Sequence, residues 1–547
     1  MCTNTPKRDT SQVHRNHKAN KIFQGMASTM LIQAFLAFRR CLDMFIDFIF
    51  GFYWESKRQP IPDLLARHRM LAESAVTLAA RIRNKELTSE NLVQACIERI
   101  KLVNKILNAV TDERFEEALK DARNVDKNIA EGLPDAYFVE RPFLGVPFTT
   151  KESNAIAGVL NTLGLLSRRH IRAAEDAESV RLMRAAGAIP LAVTNVPEVN
   201  KWQECRNLLF GTTCNPYHSG RSTGGSSGGE GALCAAYASP ISLCSDIGGS
   251  TRMPAFFCGL FALNPTAGYT NLRGLSLRTG EEPTMAAVGF VSRHCSDLAP
   301  LTAVVAGDKA PLLTLNARVD PKTIDYYYVE TAQDLRVSPI CSDLRQAMNR
   351  VISKLTELTP STDKAPKPYY HEGFNHMFVL WRYWMTRETE KFPKVLTNNR
   401  GEAKALVELP KKILGLSQYT MPAIMKLFDE QVMPPVNAQW AEKLTKELSE
   451  DLVARLGERG VLLFPSAPAP APYHAALMLR PFNFAYWGIF NVLRLPAAQV
   501  PLGLNSDGLP IGIQVVAGPR QEALCLSVAQ LLEKEFGGFV PPCKILN

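Results

Sequence analysis

Residues 211–266 constrain the fold more than any other part of the chain. They read GTTCNPYHSGRSTGGSSGGEGALCAAYASPISLCSDIGGSTRMPAFFCGLFALNPT, with two glycine–serine clusters, Gly224–Gly229 and Gly248–Ser250. Glycine at this density serves the backbone: it makes tight turns, or it lets main-chain N–H groups approach a ligand closely. A flexible linker would lie in polar surroundings, yet hydrophobic segments bracket both clusters. Between them a small-residue helix is expected at Gly231–Ala238, followed by a short strand. The clusters do not form a phosphate loop, because no G-x-x-x-x-G-K-[ST] is present. Gly224–Gly228 matches the nucleophile elbow G-x-S-x-G in form, but no companion Asp and His can be named. The nearest histidine, His218, lies in a turn-like NPYHSG segment.

A hydrolase built on these serines without histidine needs another base, and a neutral lysine can supply it. Burial disfavours the ammonium and lowers a lysine's pKa by up to several units. Lys151 fits this requirement, because it ends the run Leu144-Gly-Val-Pro-Phe-Thr-Thr150 and so emerges from the tip of a mostly apolar strand. A lysine after a strand is ordinarily just a solvated strand end. Its weight comes from its company.

The chain of 547 residues is 46% hydrophobic and 21% charged, which excludes wholesale disorder and a fibrous protein. From about residue 75 onward, helical patterns alternate with short strands, as in an α/β core. Thr88 can cap a helix whose apolar face is Leu92, Val93, Cys96, Ile97, Ile100, Val103 and Leu107. Phe143–Thr150 and Ile189–Thr194 read as strands, residues 497–516 as two strands about an Asn505–Gly508 turn, and Gln521–Phe536 as a closing helix. PSAPAPAP at 465–472 is an extended loop within the domain. A net charge of +9 without a dense basic stripe argues against a nucleic-acid partner. The 12 cysteines are scattered with no C-x-x-C pair, which favours a reduced compartment over a disulfide framework. With no H-E-x-x-H and no paired Cys/His spacing, neither a metal nor another cofactor is expected.

The N-terminus is of a different kind. Lys7, Arg8, Arg15, Lys18 and Lys21 face only Asp9, and residues 1–26 read as a basic flexible tail. Residues 27–54, ASTMLIQAFLAFRRCLDMFIDFIFGFYW, are aromatic-rich but interrupted by Arg39, Arg40, Asp43 and Asp47. The apolar blocks on either side are about 12 residues each, short of the ~20 that span a bilayer. Gln33, Arg40, Asp43, Asp47 and Gly51 fall on one helical stripe, so residues 27–58 are expected to form an amphipathic, membrane-associated helix. On this expectation Phe35, Phe38, Phe45, Phe48, Phe52 and Trp54 embed, Arg40, Asp43 and Asp47 stay near water, and the tail meets anionic headgroups. A helix packed on the protein body, or buried in a homodimer, gives the same pattern. Residues 59–75 then read as a linker, and 76–547 as one catalytic domain.

LGVPFTTKES, TNVPE, GGSSGGEGAL and SDIGGSTRMPAFFCG, in this order and spacing, resemble the amidase signature family over residues ~80–547. LRPFNFAYWGIF, PLGLNSDGLPIGIQVVAGP and LEKEFGGFVPP are similar to its fatty-acid amide hydrolase 2 branch, which also carries an N-terminal apolar segment. The resemblance implies an α/β fold with a mixed, twisted central sheet covered by helices on both faces. It implies that Lys151 is the catalytic lysine, Ser226 in the first glycine–serine cluster the bridging serine, and Ser250 in the second the nucleophile. Backbone N–H groups of Ile247, Gly248, Gly249 and Ser250 would hold the oxyanion. Ser227 would hydrogen-bond the lysine, and Asp246 and Arg252 would brace the loop. The sequence departs from the family pattern at Thr251, Asn264 and Phe290-Val291, none of them a catalytic position.

The function expected from this is a membrane-associated Ser-Ser-Lys amidase that cleaves a lipid amide, and esters through the same acyl-enzyme. Two alternatives stay open: a glutamine-hydrolysing amidotransferase A-type subunit, and a non-catalytic lipid-binding descendant. The acyl chain is expected against Leu406–Phe428, where Leu409, Ile413, Leu414, Leu416, Tyr419, Met421, Ile424, Met425, Leu427 and Phe428 are apolar. An ordinary packed amphipathic helix would account for any one of them.

Overall fold

The computed structural model describes residues 10–332, 334–359, 361 and 364–546, with side chains from residue 30 onward. The described strands are β1 (Val110–Glu113), β2 (Pro147–Lys151), β3 (Ile189–Thr194), β4 (Arg206–Asn207), β5 (Gly211–Thr212), β6 (Ile241–Asp246), β7 (Phe261–Asn264), β8 (Ala287–Ser292), β9 (Asp325–Tyr328), β10 (Lys367–Pro368), β11 (Gly460–Pro465), β12 (Ala497–Leu504) and β13 (Pro510–Ala517). Eleven of them form one mixed sheet in the order β1-β3-β2-β6-β8-β7-β12-β13-β11-β9-β10, flanked by helices, while β4 and β5 pair separately. This is the α/β architecture that the resemblance implied.

The site sits where it does because of the parallel part of this sheet. Every residue of β2, β3 and β6 is buried, as strands covered on both faces must be. β2 runs parallel to both β3 and β6, with Thr150 opposite Leu243 and Lys151 opposite Thr194. Lys151 and Asp246 therefore emerge side by side at the carboxyl ends of neighbouring strands. In open α/β sheets that edge is where ligands bind.

Most expected elements stand close to where the pattern put them. Thr88 Oγ1 accepts from the Asn91 N–H at 3.2 Å and starts the helix Ser89–Leu107. β2 begins at Pro147 rather than Phe143, because Gly145 takes a positive φ of 79° and turns the chain beforehand. The small-residue helix runs over Gly228–Ala235, starting earlier than expected. Its glycines are poor helix formers by propensity, and the buried site imposes the conformation on them.

The N-terminal segment, up to the start of the catalytic body, differs more. Helix α1 spans Thr10–Trp54, so residues 10–26, expected as flexible tail, are helical, whereas residues 1–9 lie outside the described residues. Residues 59–75 are a packed arm rather than a linker. Ile61, Leu64, His68 and Leu71 are buried, and Leu64 pairs with Ile545 near the opposite terminus. Arg99 fixes this arm, donating from Nη1 to the Asp63 carbonyl at 3.0 Å and from Nε to the Ala236 carbonyl at 2.8 Å.

From Asp43 onward the polar stripe of α1 faces the catalytic body, whereas Gln33 and Arg40 are exposed to water as expected. Asp43 and Asp47 each hold Arg480, at 2.9 and 2.8 Å, and Ile46 is buried against Tyr473 and Ala476. Gly51 lies under the Tyr473 ring, where a Cβ would come 3.1 Å from its hydroxyl. Phe35, Phe38, Phe45, Phe48 and Phe52 point away from the body and are 42–86% exposed, while Trp54 stacks edge-on against His474. Arg480 explains the inversion: it is buried, and its charge requires carboxylates that the surrounding loop lacks and α1 supplies. Among the described residues no helix is long and apolar enough to cross a membrane.

Replacing Arg99 by Met leaves the Asp63 and Ala236 carbonyls without this donor. Each orphaned buried acceptor costs about 1–3 kcal/mol. The expected result is a lower midpoint of urea unfolding, with the Ser89–Leu107 helix still formed.

Candidate active site

Lys151 ends β2 almost fully buried, and its two hydrogen-bond partners are hydroxyls: Ser226 Oγ at 2.8 Å and Ser245 Oγ at 2.9 Å. Burial pulls its pKa down to about 8. An amine in this setting holds its proton weakly and can exchange it with Ser226. Ser227, expected to bond the lysine, does not. Its Oγ is buried without a partner, while its backbone N–H donates to the Ser250 carbonyl at 3.2 Å and ties the two serine clusters together. The lysine's second partner is Ser245, which sequence reasoning missed. Its signal was the residue just before Asp246 in SDIGGS, on a strand next to β2.

The turn carrying Ser250 hangs on Asp246. Its Oδ1 accepts from the Gly249 N–H at 2.6 Å, and its Oδ2 from the N–H groups of Thr251 at 3.0 Å and Arg252 at 3.3 Å. Arg252 returns with Nε and Nη2, each 3.1 Å from the same carboxylate, and reaches on to Gln514 Oε1 at 2.8 Å and Asn491 Oδ1 at 2.7 Å. Burial alone would push the Asp246 carboxyl up. The guanidinium and the loop N–H groups outweigh it and hold the pKa below the usual range. Asp246 and Arg252 thus brace the loop as expected. Gln514 and Asn491 come from the far end of the chain and could not be found by spacing.

This bracing bears on the expected oxyanion set. The Gly249 N–H is held by Asp246, so Ile247, Gly248 and Ser250 supply the N–H groups of the turn that the carboxylate does not take. Glycine is needed at 249 for a geometric reason: φ is +108°, and a Cβ would lie 2.5 Å from Trp487 Cβ. At Gly225, beside Ser226, a Cβ would lie 2.4 Å from the Trp202 carbonyl oxygen.

A cavity of about 750 Å³ opens in front of Ser250, within the roughly 300–1,000 Å³ common for small-molecule sites. Its walls include Ile247, Gly248, Met253, Phe378, Trp381, Phe482 and Phe484, and the expected Leu409, Met421, Ile424, Met425 and Phe428. The remaining expected residues lie elsewhere. Ile413, Leu414 and Leu416 are exposed, Leu427 is buried in a separate core cluster, and Tyr419 packs against that cluster. Helical spacing cannot say which side of a segment faces a cavity. The charged groups on the rim are paired: Arg382 with Asp429 at 2.7 Å, Lys426 with Asp429 and Glu430 at 3.2 Å. Thr251, Asn264, Phe290 and Val291 are buried away from this cavity.

Replacing Arg252 by Met strands the Asp246 carboxylate in the core. Breaking a buried pair this way costs about 3–5 kcal/mol. The expected outcome is a protein that melts well below wild type, with the loss seen also in the midpoint of urea unfolding.

The amidase family profile matches residues 91–526. Fatty-acid amide hydrolase 2 of Homo sapiens is 40% identical over 487 residues, covering 87% of this chain and 91% of the human protein. Fatty-acid amide hydrolase 2-A of Danio rerio is also 40% identical, over 490 residues, covering 87% and 91%. The structure of a 6-aminohexanoate cyclic dimer hydrolase superposes with a TM-score of 0.65 at 24% identity, covering 85% of this chain and 97% of that one. With this match across most of its length, the chain belongs to the amidase family and is an amidase-type hydrolase similar to fatty-acid amide hydrolase 2.

Proposed function

We propose that this enzyme cleaves long-chain fatty-acid amides, and esters, to the free acid through a Ser-Ser-Lys relay, and that it works at a membrane surface. The observation that carries the reading is a buried lysine bonded only to hydroxyls, one of them that of Ser226, together with an apolar cavity whose lining includes Gly225 and Ser250. Neutral Lys151 takes the Ser226 proton as Ser226 takes that of Ser250, and Ser250 Oγ attacks the acyl carbon. The oxyanion accepts from the Ile247, Gly248 and Ser250 N–H groups; losing one such donor typically costs ~10²–10³ in kcat. The relay returns the proton to the leaving nitrogen, and the amine departs neutral. Water then repeats the sequence on the acyl-enzyme and frees the acid.

An apolar cavity of this size argues against glutamine as substrate, because the glutamine amide and α-charges would have few partners there. The braced turn and the lysine relay argue against a non-catalytic lipid binder. The outward aromatic face of α1 supports the membrane surface: Phe38, Phe45, Phe48 and Phe52 present apolar area that water does not favour.

A fluorophosphonate probe is expected to label Ser250 alone, and Ser250→Ala to abolish the adduct in peptide mass spectra. An adduct on another residue refutes the assignment. Lys151→Ala should slow turnover by about 10²–10⁴ at neutral pH, the usual worth of a general base. Because the base acts as the free amine, kcat/KM should rise with pH through about 8 and then level off.

Each buried CH₂ contributes roughly 0.8 kcal/mol, so kcat/KM should climb steadily from acetamide towards oleamide until the cavity is filled. A flat series, or faster cleavage of glutamine, defeats the lipid reading. Full-length protein should sediment with anionic liposomes in high salt, and a chain lacking residues 1–58 should not. Equal sedimentation of the two removes the membrane role of α1.

A further inference from the structure

Arg480 stands at a junction between α1 and the walls of the cavity. Its guanidinium is buried and reaches only to α1: Nε to Asp43 Oδ1 at 2.9 Å, Nη1 to Asp47 Oδ1 at 2.8 Å, Nη2 to the Asp43 carbonyl at 2.5 Å. Its own carbonyl accepts from Gln203 Nε2 at 3.1 Å, and Gln203 lines the cavity beside Gly225. The chain that leaves Arg480 becomes the opposite wall. Phe482 packs on Phe378 with ring centroids 4.4 Å apart, and Phe484 on Trp381 at 4.5 Å. Trp381 Nε1 in turn donates to the Ile247 carbonyl at 2.9 Å, on the turn that carries Ser250.

A second cavity of about 360 Å³ lies on the far side of the 480–487 segment, bordered by Arg40, Asp43 and Asp47. Residues 480–484 therefore form a partition that borders open space on both sides, while Ala485, Tyr486 and Trp487 beyond it are buried in the core. Among its polar ties are Asn483 Oδ1, which accepts from the Ser338 N–H at 2.9 Å, and Arg480, which is held by α1.

We propose that Asp43 and Asp47 are positioning residues for the acyl site: through Arg480 they hold Phe482 and Phe484 in place, so that α1 sets the enzyme's selectivity for long chains as well as its location. The inference rests on reading the 750 Å³ cavity as the acyl site. Without the two carboxylates, Arg480 is a buried charge with no counter-ion and turns out towards solvent. The partition then loosens. Long chains lose a wall that short ones never touch, and the Lys151–Ser226 bond stays as it is.

The test uses full-length protein in a fixed detergent and two probes of Ser250, a hexadecyl and an ethyl fluorophosphonate. The variants are the isosteric pair Asp43→Asn/Asp47→Asn, Arg480→Gln, and all three changes together. The paired variant should lower the hexadecyl labelling rate by about tenfold and leave the ethyl rate within about twofold. Arg480→Gln should do the same, and the triple variant should fall no further, as members of one interaction do. The inference is overturned if the long-to-short ratio is unchanged, if both rates fall together as in a folding defect, or if the two losses add. Oleamide and acetamide turnover are measured alongside. A wild-type enzyme that ignores oleamide refutes the amide reading, while the labelling ratio still decides the role of α1.

Discussion

Asp246 and Arg252 lie in the interior, out of reach of solvent, and the site depends on their staying paired. The carboxylate gathers three N–H groups of the turn around itself and so bends the chain into the shape that presents Ser250. The guanidinium satisfies the carboxylate and spends its other hydrogen bonds on Asn491 and Gln514, which belong to a different part of the chain. A buried ion pair gains little stability over well-packed hydrophobic residues, because desolvation offsets the attraction. Its value lies in geometry. Two parallel strands end together, one in Lys151 and one in Asp246, so the same edge that carries the lysine also anchors the turn of Ser250.

The lysine needs the opposite treatment from the aspartate. Asp246 is kept charged by a counter-ion; Lys151 is denied one and offered only the hydroxyls of Ser226 and Ser245. Desolvation then works on it unopposed by any direct partner and brings its pKa down to about 8. Adjacent strand ends thus carry two ionisable groups whose pKa values are both lowered for different reasons, one by a guanidinium and loop N–H groups and the other by desolvation among serines.

The same electrostatic rule accounts for α1. An amphipathic helix beside an apolar body would be expected to bury its apolar stripe. Here a buried arginine on the body draws the two aspartates inward, and the aromatic stripe is left facing out. Glu55 continues the pattern just beyond the helix, accepting from Tyr473 Oη at 2.5 Å and lying 3.1 Å from His218 Nε2. Docking through charges and presenting aromatics outward are two aspects of one arrangement.

The sequence by itself determined the local chemistry. Lys151 at a strand tip, two glycine–serine clusters on either side of a small-residue helix, the cap at Thr88 and the α/β alternation all follow from neighbours in the chain. The motifs were legible because each needs its residues within a few positions of one another. What only the tertiary structure decided involves partners far apart: Ser245 rather than Ser227 on the lysine, the Gly249 N–H given to Asp246, Gln514 and Asn491 behind Arg252, and the packed arm at 59–75. Helical spacing put Asp43 and Asp47 on one stripe but not which way that stripe faces. Amphipathicity fixes an angle between faces, and the direction comes from what lies opposite, here the charge of Arg480, which the chain reaches only near its other end.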